Sequence, residues 1–263
     1  MKLFLIVALL TFTVSAIAKN ADTVRIEPGT LELKNLQTGD LSYLQFGRKT
    51  KDGPATRVSL IKFNVERIEY QGRPAIAVKQ QWEMDTVVHK CYTVFDAKDF
   101  STWLHDTYWK RLGYSVKLDF AAKQVSYTNV NNKSDVPDSL KAATIKDFND
   151  SFSKYNLNWH ADMLIYSLLP YKENRVFVIN YYDPGFEKST EVAYTVTGSD
   201  FLTGSNGEKI ECWVLNNYND NNAPDKGYER FWISKKIHEV LKLENDFGGG
   251  KGFRYKLKLG IAN

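Results

Sequence analysis

Few residues of this chain stand in patterns that carry chemistry. His89 and Cys91 lie two apart. On an extended strand they point to one side and make half of a zinc site, which needs three or four ligands. The other histidines, His105, His160 and His238, are scattered and lack motif spacing. The ordinary alternative is polar or satisfied core residues, and no metal is assigned. No G-x-S-x-G nucleophile elbow occurs. Gly248-Gly249-Gly250-Lys251-Gly252 looks like a phosphate loop, but such a loop needs Ser or Thr after its lysine and a helix to follow. Gly252 and a strand follow here, so a hairpin turn is the better reading. Asp99 with Asp106, or Glu187 with Glu191, pair on paper only, and without geometry such pairs carry no weight. No catalytic residue and no cofactor is assigned, and the chain reads as non-enzymatic.

The aromatic residues are the strongest chemical signal. Trp82, Trp213, Phe231 and Trp232 fall on predicted strands, while Trp103, Trp109 and Trp159 fall on the interruptions between them. A curled sheet either fills its interior with such side chains or leaves a cavity for an apolar ligand. The candidate ligand-binding set is Trp82, Met163, Leu164, Leu168, Trp213, Phe231 and Trp232. Alternation also splits the last strand: Phe253, Tyr255, Leu257 and Leu259 face one way, and Arg254, Lys256 and Lys258 the other. The basic face suits anionic lipid head groups or is simply solvated, guarding an edge.

These residues need elements to position them. Arg57 to Tyr70 alternates, Gln71-Gly72 closes a hairpin, and Ala75 to Trp82 and Val87 to Phe95 continue an antiparallel meander. Phe100, Trp103, Leu104 and Tyr108 fall near helical spacing, so residues 99–111 read as a short helix or an aromatic loop. Tyr114 to Phe120 and Gln124 to Thr128 read as strands. Asn129 to Asp138 is a polar loop between halves. Asp138 to Tyr155 reads as a helix. Asn158 to Leu169 reads as a better one, capped by Asn158 and stopped by Pro170. Arg175 to Tyr182 and Val192 to Thr197 are strands, and Phe201 to Glu208 is a turn. Four short strands follow within Lys209 to Leu259. The fold class is mainly β (α+β): curved antiparallel meanders forming a half-barrel, with one or two covering helices.

Residues 1–18 read as a secretory signal peptide: a basic start, an apolar run and a small-x-small end at Ala16-Ile17-Ala18. The run is too short to cross a bilayer, which takes about 20 apolar residues, and no later segment is long and apolar enough. Residues 19–263 are expected to form a single β-rich domain, with two similar halves near 19–130 and 138–263. Hydrophobic residues make up 43% and aromatics 14%, which excludes a disordered chain. A net charge of +4 with interspersed signs gives nucleic acid no footing. Export permits a disulfide between Cys91 and Cys212. The alternative is two buried thiols, and spacing leaves both open.

The order LIYSLLPYKENRVFVINYYDP, VAYTVTG, GEKIECWVL and RFWISKKIHEVLKLE carries a resemblance. It is similar to a widespread family of exported bacterial proteins known only as a domain of unknown function. Those proteins look like the half-barrel carriers of lipoproteins in the bacterial envelope. The likeness covers residues 158–259 and, in general pattern, 40–130. It implies a periplasmic or extracellular location, a lipid or lipoprotein partner, and no catalytic residues to carry across. The expected function is non-catalytic binding of an apolar or lipid-like envelope component between sheet and helix. The alternative is a structural or protein-interaction component of the envelope with a filled core.

Overall fold

In the computed structural model, residues 22–130, 136–183, 188–218 and 226–260 are described. The expected signal peptide, residues 131–135 of the polar loop between halves, and Glu187 lie outside them. The strands are β1 (Asp22–Arg25), β2 (Gly39–Arg48), β3 (Thr56–Tyr70), β4 (Arg73–Glu83), β5 (Val87–Asp96), β6 (Thr102–Trp109), β7 (Tyr114–Asp119) and β8 (Gln124–Asn129). After helix α1 (Asp138–Ser151) and short helix α2 (Asp162–Ile165) come β9 (Arg175–Tyr181), β10 (Thr190–Thr203), β11 (Lys209–Tyr218), β12 (Tyr228–Ser234), β13 (Val240–Asp246) and β14 (Phe253–Leu259).

All the strands join one sheet in the order β1-β9-β10-β11-β12-β13-β14-β2-β3-β4-β5-β6-β7-β8. Each half is an antiparallel meander, because short turns force neighbours in sequence to pair. At the β3–β4 hairpin, Gln71 and Gly72 both take positive φ (51° and 75°), the type I′ geometry that matches strand twist. The halves meet where β14 pairs antiparallel with β2, from Phe253↔Arg48 to Leu259↔Ser42. β1 is the exception in direction, pairing parallel with β9.

The sheet is strongly curved and unclosed. Phe177 of β9 and Phe95 of β5 belong to one buried cluster. Nine strand spacings separate them, about 43 Å if the sheet were flat. Curvature puts the inward faces of both halves around a shared core. The covering segment 157–169 fills the concavity. It is not the single helix expected. Asn158 does cap it, its side chain accepting from the His160 N–H, but the backbone runs as a 3-10 turn, the four-residue α2 and another 3-10 turn. Every residue from Ala161 to Leu169 is buried, so the burial is all-round and gives no amphipathic stripe.

Residues 102–109 form a strand, β6, rather than a helix or loop. It is covered on both faces: Trp103 and Leu104 pack outward with Val94, and His105 and Thr107 are buried. A strand buried on both faces loses its alternation. Before it, buried Phe100 takes φ 65° and stacks on Phe95 at 4.2 Å. Helix α1 begins at Asp138 as expected and ends at Ser151. Its Phe148 joins Val116, Leu118 and Tyr182, so it covers the inner face of the β7–β8 end.

The cysteines do not pair. Both are buried free thiols, on β5 and β11, with six strands between them in the sheet. Cys91 Sγ donates to Gln80 Oε1. Strand placement alone left the bridge open; sheet order separates its ends.

Candidate functional site

The predicted ligand-binding residues converge, but on a filled interior. Met163, Leu164, Leu168 and Phe231 are at most 3% exposed and share one core, with Trp82 and Trp213 packed against it. Tyr166 fills the centre, its ring 4.5 Å from Phe231 and its hydroxyl 2.6 Å from that of Tyr194. Trp232 does not join them. It lies on the outer face with Cys212, Val214 and Leu241, and its indole N–H donates to Asp200.

The last strand is turned the other way from a solvated basic face. Lys256 is paired in register with Leu243 and Gln45, whose own neighbours line the core, so Arg254, Lys256 and Lys258 point inward. Each has a carboxylate there: Arg254 with Glu229 at 3.0 Å, Lys256 with Asp162 at 3.7 Å, and Lys258 with Glu239 at 2.5 Å. Burial pushes the Lys256 ammonium below its usual range, opposed by Asp162. Burial likewise raises Glu229, opposed by Arg254. These charges are tied to carboxylates on the inner side of the sheet rather than forming a solvated face.

Four residues that spacing kept apart meet in a buried cluster between the sheet and the filling segment. Asp183, just after β9, receives the His160 Nδ1 at 2.7 Å, the His160 backbone N–H at 3.2 Å and the Asn158 amide at 3.2 Å. His105 Nε2 of β6 stands 3.2 Å from Asp183 Oδ1. In a flat sheet ten strand spacings, about 48 Å, would separate β9 from β6. His89 stacks between Trp109 (3.9 Å) and His160 (4.9 Å). The Tyr108 carbonyl receives the His89 Nδ1–H, and Thr93 Oγ1 holds His105 Nδ1 at 2.8 Å.

Electrostatics separates the three rings. Burial drives His89 and His105 down to about 3, against the pull of Asp183 on each. Burial pushes His160 down too, but the charge and hydrogen bond of Asp183 outweigh it, and His160 ends raised. Asp183 is lowered: burial works against its charge, and the histidines more than compensate. The donor atoms of His105, His160 and Asp183 all lie within 4.8 Å of one another, a set able to hold a metal ion. His89 and Cys91 do share a strand side, but Cys91 is committed to Gln80. The signal for the cluster was three histidines, each on or beside a buried aromatic stretch. Nothing in their spacing linked them.

The remaining paper sites dissolve. Asp99 accepts the Ser101 N–H, Asp106 lines an outer groove of about 640 Å³, and Glu191 is bound to Arg25 at 2.6 Å. The glycine run is the β13–β14 turn. At Gly248 (φ +70°) an added Cβ would strike the Lys226 carbonyl group, so the backbone approach itself excludes a side chain.

A larger cleft of about 1180 Å³ opens at one end of β10–β14. Leu202, Ile210, Ile237, Leu241, Leu257 and Leu259 supply apolar lining. Around them stand Lys209, Lys235, Lys236 and Lys242 against Glu208 and Glu211, four positive charges to two negative, while Lys258 is bound inward to Glu239. Trp232 packs beneath this lining with Leu241. Lys236 is exposed and has no ion-pair partner among the described residues.

Among solved structures, the chain is similar to a beta-barrel-like protein of domain of unknown function DUF1849 from Brucella abortus, at 7% identity and TM-score 0.37, covering 87% of this chain and 100% of that one. It is similar to the hypothetical lipoprotein YmcC from Escherichia coli, at 13% identity and TM-score 0.32, covering 86% and 89%. A DUF1329 family protein from Desulfovibrio piger matches at 9% identity and TM-score 0.29, covering 87% and 86%. Scores this low carry no argument about function. No curated protein matches the chain. No helix among the described residues is long and apolar enough to cross a membrane. The model of one family, DUF3108, a protein of unknown function, matches residues 45–258, most of both meanders and the segment that fills them. The chain belongs to the DUF3108 family.

Proposed function

We propose that this protein is an exported, non-catalytic component of the bacterial envelope that binds an anionic, lipid-like ligand. The filled concavity leaves no room for an acyl chain beside Met163, Leu164 and Phe231, so the site moves to the outer cleft. The observation that supports it is the pairing of a leucine- and isoleucine-lined cleft with an excess of two lysine charges. An acyl chain would lie on Leu202, Ile210, Leu241 and Leu257, gaining about 0.8 kcal/mol per buried methylene. A carboxylate or phosphate head would meet Lys236 and its neighbours. Export rests on the N-terminal sequence.

Titration with a fluorescent long-chain fatty acid tests this reading. Saturable binding is expected, weakened at least tenfold by Leu257→Glu and by high salt. Binding unaffected by Leu257→Glu contradicts the cleft. The filled interior also favours a second reading, a protein-interaction component of the envelope. Absence of any amphiphile binding would favour that one.

A further inference from the structure

We propose that His105, His160 and Asp183 form a binding site for one first-row divalent transition-metal ion of the zinc class, with His89 beside them as a supporting base. The proposal stands independently of the lipid reading. Two imidazoles and one carboxylate are donors that zinc and its neighbours favour, whereas magnesium and calcium take oxygen sets.

The geometry carries the argument. For metal–donor bonds of about 2.0–2.1 Å, tetrahedral donors stand about 3.3 Å apart. His105 Nε2 and Asp183 Oδ1 are 3.2 Å apart already. The 2.7 Å contact between His160 Nδ1 and Asp183 Oδ2 would open by about 0.6 Å to reach that spacing. His105 is fully buried, and its Nε2 faces the carboxylate without hydrogen-bond alignment. A buried polar atom left in that state calls for an ion, a water or a role.

The atoms behind the donors are also those of a metal site. Thr93 Oγ1 holds the far nitrogen of His105, and Asn158 holds Asp183. Such outer contacts fix ring orientation and raise ligand basicity. The Tyr108 carbonyl can only accept, so it fixes the His89 proton on Nδ1 and leaves Nε2 with its lone pair. That Nε2 is buried and has no hydrogen-bond partner among the described residues. His160 is 14% exposed at its side chain, which gives an ion its way in. Binding would replace the proton that His160 shares with Asp183, so metal uptake releases a proton.

The site would also do structural work. His105 belongs to β6, His160 to the filling segment and Asp183 to the end of β9. One ion would therefore clasp both arms of the open sheet to the segment between them.

The test uses the mature protein, stripped of metal by chelator dialysis and titrated with cobalt(II). One equivalent should bind, with the visible ligand-field bands of a four- or five-coordinate nitrogen/oxygen site and no thiolate charge-transfer band. Zinc should displace it, and millimolar magnesium or calcium should not. Zinc should also raise the melting temperature. His105→Gln and Asp183→Asn should lose the bands, Thr93→Val should weaken affinity about tenfold, and His238→Asn should change nothing. If the ligand variants fail to fold, X-ray absorption of the zinc-loaded wild type decides, because it counts imidazole ligands directly. The proposal is overturned by a wild type that takes up no cobalt, by a folded His105→Gln that keeps the bands, by displacement with magnesium or calcium, or by a zinc spectrum without imidazole scattering. In those cases the cluster is a hydrogen-bonded strut.

Discussion

At the scale of the residue, the interior is held by charges as well as by oil. Lys256 sits 7% exposed at its side chain, opposite Asp162. Removing one member of a buried pair strands the other, which costs about 3–5 kcal/mol. Lys256→Met should therefore lower stability by about that much in urea unfolding. The double variant Lys256→Met/Asp162→Leu should recover most of it, because a packed apolar pair is an adequate substitute. Phe231→Ala, which empties part of the fully packed centre, should cost about 3–5 kcal/mol with no second-site rescue from charge.

Acid should act through a different set. Asp22 is lowered by its bonds to Arg175 and Lys172, Glu191 by Arg25, Glu83 by Lys62, and Asp200 by the Trp232 indole. A carboxyl group whose folded pKa is depressed contributes stability above its unfolded value and loses it as pH falls through the folded one. The melting temperature should thus hold at neutral pH and fall below about pH 4.5. Asp22→Asn should flatten that fall, and an unchanged slope would remove Asp22 from the account.

Among the elements, legibility followed burial. Strands with one wet face, such as β3 with Ile61, Phe63 and Val65 inward, were readable from alternation. The four C-terminal strands were readable from their turns. β6 was not, because Trp103 and Leu104 pack on one face while His105 and Thr107 fill the other. The filling segment read as a helix because Asn158 offers a cap and Pro170 a stop, yet it is wound too tightly and buried too completely to be one. For β14 the alternation was correct and the inside–outside assignment reversed. Nothing in the strand itself tells that Glu229 awaits its arginine and Asp162 and Glu239 its lysines. The His–Asp cluster was illegible for a related reason: curvature of the sheet, not chain spacing, brings its members together.

The β13–β14 turn offers a test of elements as such. Gly248→Ala should lower stability by well over 1 kcal/mol, since the clash is with backbone and the φ is left-handed. Gly249→Ala, with open space around it, should cost less. Equal effects at both would mean that close approach of the Lys226 backbone is unimportant. Hydrogen exchange should find β14 and β2 among the most protected strands, because they lie mid-sheet and join the halves, and β1 and β8 among the least, as its ends.

For the whole molecule, one curved sheet wrapped on its own connecting segment leaves little interior to offer a ligand. The binding proposed here therefore falls on the lysine-rimmed cleft at the end of β10–β14. Its apolar lining is continuous with the cluster of Trp232, Leu241, Ile210 and Leu202. The most direct test is native mass spectrometry of the protein purified from its own envelope without detergent. The account predicts a bound anionic amphiphile of lipid mass, present in the wild type and lost from a folded Leu257→Glu variant. A wild type that carries no such adduct, and gains none when fatty acid or phospholipid is added, would contradict it.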